Sequence, residues 1–149
     1  MKIGEICTRE VVCTAVDTPV AAAAKLMRQY HMGDVIVTRN DGDKRTPLGI
    51  VTDRDIVLGV IAPELAPDTI TVGDIMGQEL TTASEHEDVF DVIQRMRDKG
   101  VRRMPIVDID GALAGIVSID DVLEVLAEEI TELARLISRE QMHERQTRR

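Results

Sequence analysis

Apolar residues recur at helical spacing twice along the chain. Val20, Ala23, Ala24 and Met27 stand at i, i+3, i+4 and i+7, and Val89, Val92, Ile93 and Met96 repeat the arrangement. Such a stripe lets a helix cover a core with one face. A short β-like stretch precedes each stripe, at 11–15 and 80–83. Two short apolar runs follow each: 35–38 and 49–51 in the first half, 105–109 and 113–117 in the second. Asp41-Gly42 and Asp110-Gly111 lie between the runs, a dipeptide that suits hairpin turns because glycine accepts positive φ. Second helices are predicted over 53–61 and from residue 119 onward. The order is β-α-β-β-α, twice, an α/β (α+β) fold.

The two halves also match residue by residue. A shift of 69 lays Ile3-Gly4-Glu5-Ile6 on Val72-Gly73-Asp74-Ile75, and Val20, Met27 and Arg28 on Val89, Met96 and Arg97. After Thr38 the first copy carries three extra residues within 41–46, and the shift becomes 66. Leu48-Gly49-Ile50-Val51-Thr52 then falls on Ala114-Gly115-Ile116-Val117-Ser118. Two copies are too few for a solenoid and point to a pseudo-symmetric pair closing on itself. The expected division is repeat one over 1–62, a Pro-marked linker over 63–71, repeat two over 72–126, and a C-terminal helix with a frayed polar tail over 127–149. Leu126, Ile130, Leu133 and Ile137 give that helix a short coiled-coil-like spacing. Covering its own repeat or pairing with a second copy would both use it.

Charge and composition narrow the partners. A net charge of −9 repels nucleic-acid backbones and anionic lipid. Tyr30 and Phe90 are the only aromatic residues, too few for base-stacking platforms. No apolar run approaches the roughly 20 residues of a membrane span. The opening MKIGEICTREVV does not read as a signal peptide, so a cytoplasmic location is expected. Cys7 and Cys13 make no disulfide framework, and with His31, His86 and His143 scattered they suggest neither a metal site nor a nucleophile–base pair. No triad, metal cluster or phosphate-transfer loop is visible, so no catalysis is expected.

Thr52-Asp53-Arg54-Asp55 and Ser118-Ile119-Asp120-Asp121 occupy the same point in each copy, between strand and helix. S/T-x-x-D imitates the capping box, in which the hydroxyl and the acid satisfy free backbone N–H groups. The same geometry suits a nucleoside phosphate, with the helix N-terminus facing the phosphate and the carboxylate accepting from ribose hydroxyls. Both readings remain open on the motif alone.

Gly49–Ile56 and Gly115–Val122 resemble the closing signature of CBS domains. Arg103-Met104-Pro105-Ile106-Val107-Asp108 resembles their hydrophobic-Pro-Val strand, and Gly73-Asp74-Ile75-Met76 their lead-in. The likeness covers residues 1–126, and it extends to small bacterial proteins consisting only of such a pair, some linked to stress or hypoxia. Two departures touch the cleft: Ile36 stands where Pro105 stands in the second copy, and Cys7 replaces the usual Met.

The resemblance implies a Bateman module, two repeats packed sheet to sheet with two clefts between them. It implies no cofactor. Members bind AMP, ADP, ATP or S-adenosylmethionine and answer by a change of shape or partner, whereas some pairs bind nothing and serve as interaction modules. Carried over, cleft one would join Thr52, Arg54 and Asp55 to Thr81, Val101, Arg102 and Arg103. Cleft two would join Ser118 and Asp121 to Val12, Met32, Gly33 and Asp34, with adenine near Val12 or Thr81. The arginines would direct a phosphorylated ligand to cleft one, and Asp34 would repel it from cleft two. A homodimer through Ile56, Val60, Val122, Leu123 and Leu126 is also expected. The regulated protein partner is not identified by the sequence.

Overall fold

The computed structural model describes residues 1–148. Each repeat builds one three-stranded sheet. In the first, β1 (Cys13–Thr14) lies parallel to β2 (Asp34–Asp41), which pairs antiparallel with β3 (Lys44–Thr52). Helix α1 (Val20–Tyr30) crosses over between β1 and β2. Helix α2 (Asp53–Ile56) follows β3 and runs on as a π turn over Val57–Ile61. After a short helix α3 (Val72–Ile75), the second repeat repeats the plan. Its elements are β4 (Ala83–Ser84), α4 (Val89–Lys99), β5 (Arg103–Val107), β6 (Leu113–Ser118) and α5 (Ile119–Thr147). The doubled β-α-β-β-α order therefore holds.

Strand periodicity explains the burial. Val35, Val37 and Val51 belong to the first core, under α1 and α2. Ile36 lies between Val35 and Val37 in the strand and points to the opposite face, yet it too is fully buried. Met104, Ile106 and Val117 belong to the second core, while buried Pro105 and Ile116 occupy the opposite face of their sheet. Both faces of the paired strands are dry, which is why these runs are continuously apolar rather than alternating. The hairpin turns fall where Asp-Gly predicts them, with Gly42 and Gly111 at positive φ.

The lead-in segments change places. Ile3 is packed in the core of the second repeat, with Val92, Met104 and Val117. Val72 is packed in the core of the first, with Val20, Val35 and Val51. Equivalent hydrogen bonds fix both crossings. Ile3 N–H donates to the Glu87 carbonyl at 2.9 Å and Val72 N–H to the Thr18 carbonyl at 2.9 Å. Gly4 N–H reaches Glu85 at 3.0 Å and Gly73 N–H reaches Val16 at 3.0 Å. A Cβ at Gly4 or Gly73 would sit 2.8 Å from those same carbonyl oxygens, so both glycines are needed for the approach. Cys7 then lies over Gly115 as Met76 lies over Gly49, and Thr8 exchanges backbone bonds with Ile116 at 2.8 and 2.9 Å. Each repeat thus closes only with a segment that precedes the other.

Three expectations need correction. Ala24 is exposed, although Val20, Ala23 and Met27 of the same stripe are buried as expected. Ile56, Val60 and Val122 lie in their own cores and are not free for a dimer; Val57, Leu58, Ile61, Leu123 and Leu126 carry the exposed surface. The C-terminal tail is helical through Thr147 rather than frayed. It consists largely of strong helix formers, and Arg148 reaches back to Glu144 at 3.0 Å.

Candidate functional site: the clefts between the repeats

Strand β3 ends at Thr52 and β6 at Ser118, and at both ends the chain turns into a helix. Thr52 N–H donates to Asp55 Oδ2 at 2.9 Å, and Asp55 N–H donates back to Thr52 Oγ1 at 3.1 Å. Ser118 and Asp121 make the same pair at 3.0 and 3.2 Å. Both S/T-x-x-D motifs are therefore complete capping boxes. Thr71 and Asp74 form a third at the head of α3. Its T-x-x-D spacing is the same signal in the sequence, hidden inside the lead-in motif.

The centre of the module is held by charge. Arg103 and Asp34 are equivalent residues of the two repeats, and they face each other as an ion pair, with Arg103 Nε 2.8 Å from Asp34 Oδ2. The Asp34 side chain is 8% exposed and that of Arg103 37%. Burial pushes the Asp34 carboxyl up, the Arg103 guanidinium pulls it back, and Asp53 adds to the rise. Asp53 N–H donates to the Gly33 carbonyl at 3.0 Å, and a Cβ on Gly33 would lie 3.3 Å from Asp53 Oδ2 and 3.5 Å from Arg103 Nη2. Gly33, Asp34, Asp53 and Arg103 thus form one cluster. The expected separation, with Arg103 attracting phosphate in one cleft and a bare Asp34 repelling it in the other, does not hold, because the two charges neutralise each other.

An open cavity of about 600 Å³ lies beside Val12 and Met32. Thr8, Cys13, Tyr30 and Arg45 are also in its wall. Val12 is half-buried, and its carbonyl accepts from Ile36 N–H at 2.9 Å. Arg45 Nη1 lies 3.3 Å from Cys13 Sγ, and burial pushes the Cys13 thiol up. Sequence reasoning missed Arg45 because it falls in the three-residue insertion, which has no counterpart in the second copy. Ser118 and Asp121 do not line this cavity; Asp121 stands on a separate rim with Glu5, Ile6 and Glu124. In the other repeat Thr81 is half-buried, and Val101 packs on the second core. Arg54 and Arg102 are exposed. Among the described residues no cluster of His, Cys, Asp and Glu is arranged to hold a metal ion, and no helix is long and apolar enough to cross a membrane.

Comparison with known proteins agrees with this architecture. The family model for the CBS domain matches residues 3–61 and 72–128. An uncharacterized protein of Methanopyrus kandleri is 36% identical over 125 residues, covering 84% of this chain and 62% of its own length. The chain thus spans about three fifths of that relative. The crystal structure of an uncharacterized conserved protein from Pyrococcus horikoshii superposes with a TM-score of 0.73 at 29% identity, covering 83% of this chain and 90% of its own. The CBS domain pair of protein MJ0100, solved in complex with 5'-methylthioadenosine and S-adenosyl-L-methionine, has a TM-score of 0.75 at 21% identity, covering 87% of this chain and 98% of its own. That likeness is one of fold. With both repeats matched and the doubled topology in place, the chain belongs to the CBS-domain family.

Proposed function

We propose that this chain is a non-catalytic regulatory module that binds an adenosine-containing ligand between its two repeats and signals by a change of shape or of partner. The observation that carries the reading is the cavity of about 600 Å³ walled by Val12, Met32 and other residues of the first repeat, at the positions the family resemblance assigns to adenine. Its size suits a nucleoside-scale ligand. The adenosyl ligands of the MJ0100 pair support the ligand class. AMP, ADP, ATP and S-adenosylmethionine are the candidates. Val12 and Met32 hold the base in one cleft, with Thr81 and Val101 as their counterparts in the other. The hydroxyl and acid of Thr52–Asp55 take the ribose and phosphate side of the cleft at Thr81, with Gly33 allowing close approach in the other, where Ser118 and Asp121 stand outside the cavity wall. Arg54 and Arg102 supply forked donors for phosphate oxygens, and Arg103 joins them when released from Asp34. The working unit is a homodimer.

A second reading has its own support. Both S/T-x-x-D motifs are already satisfied as capping boxes, which is what a structural or protein-interaction pair requires. Thermal unfolding with AMP, ADP, ATP, S-adenosylmethionine and 5'-methylthioadenosine separates the two, because a ligand of the native state must raise the melting temperature. A shift that Met32→Asp abolishes supports the ligand module. No shift with any of the five at millimolar concentration leaves the interaction module.

A further inference from the structure

Over residues 127–147 helix α5 leaves the module. Every residue of this stretch is exposed, which at 1.5 Å per residue makes a projecting rod about 30 Å long. The CBS match ends at residue 128, so the rod is a feature of this chain beyond the repeat. Leu123, Leu126, Ile130, Leu133 and Ile137 follow one another at intervals of three, four, three and four, and they are 55, 36, 66, 61 and 57% exposed. A helix in water draws most of its stability from packing such a face, and nothing among the described residues covers this one.

Charge along the rod selects the occupant. Residues 119–132 hold six acidic side chains and no Lys or Arg, whereas 133–148 hold four arginines against two glutamates. Two copies side by side and parallel would set acid against acid. Antiparallel, the acidic half of each lies on the basic half of the other. The heptad register agrees: Ile130 meets the partner's Leu133, and Leu126 meets the partner's Ile137.

We propose that α5 pairs antiparallel with α5 of a second copy of this chain along Leu126–Ile137. The inference rests on the homodimer reading and adds its surface and its polarity. Sedimentation of the full chain should show a dimer at tens of micromolar. Ile130→Asp with Leu133→Asp should weaken it at least about tenfold, since charge then enters the seam. Both sites are exposed, so the melting of the module should be unchanged. In a Cys7→Ser, Cys13→Ser background, Leu126→Cys chains mixed with Ile137→Cys chains should oxidise to mixed dimers, while neither links efficiently to itself. A monomeric native chain would overturn both the homodimer and the seam. A dimer that survives the double aspartate substitution keeps the homodimer but overturns the seam. Efficient self-linking through Leu126→Cys alone overturns the antiparallel arrangement.

Discussion

Replacing Arg103 by Ala should unmask the buried charge at the module's centre, with a pH dependence that marks Asp34 as the cause. Removing one partner of a fully buried pair costs about 3–5 kcal/mol, because the other charge is left without compensation. Asp34 is nearly buried, but the Arg103 side chain is 37% exposed, so water already shares in the pair and the expected loss at pH 7.5 is about 1–3 kcal/mol. Burial already holds the Asp34 carboxyl above its ordinary value, and Arg103 is the group that lowers it. Without Arg103 the folded-state pKa climbs further, so the native state binds a proton more readily than the unfolded chain. Stability then falls as pH rises through the interval between the ordinary carboxylate range and the raised folded value. The defect of Arg103→Ala should therefore be largest at pH 7.5 and shrink towards pH 4. Adding Asp34→Asn should recover part of it at pH 7.5. Because the two residues are equivalent positions facing each other, the exchange Asp34→Arg with Arg103→Asp should restore most of the stability. Urea denaturation of the four proteins at pH 7.5 and 4.5 makes the comparison. A loss of equal size at both pH values, or an exchange no better than Arg103→Ala, would refute the electrostatic account.

Glu87→Gln should show the opposite sign. Glu87 pairs with Arg95 and accepts from Ser84 N–H, and these bonds hold its carboxyl below the usual range; its contribution of about 1 kcal/mol should be present at pH 7 and vanish as acid titration passes the folded pKa. Gly115→Ala would put a Cβ 2.7 Å from the Thr8 carbonyl and 2.8 Å from Cys7 Sγ. It should cost about 1–3 kcal/mol and expose the first eight residues to limited proteolysis. Asp55→Ala and Asp121→Ala each remove an acceptor from a capping box and should cost about 1 kcal/mol in thermal unfolding. A loss of ligand affinity beyond that, read by calorimetry, would assign the carboxylate to ribose as well.

The sequence by itself determined the elements and their order. Helix stripes, apolar runs, turn glycines and S/T-x-x-D caps are local signals, each satisfied within a few residues of itself. The 69-residue and 66-residue registers follow from comparing the chain with itself. Even the third cap, at Thr71, was there to be read. Only the tertiary structure decided which lead-in closes which core. Ile3 and Val72 are equivalent apolar residues, and either core offers the same kind of pocket. Nothing in the local pattern distinguishes a segment that folds back from one that crosses over. The same holds at the centre. Asp34 and Arg103 look like a difference between two separate clefts until pseudo-symmetry brings equivalent positions face to face. There, opposite charges attract where two copies of either one would repel.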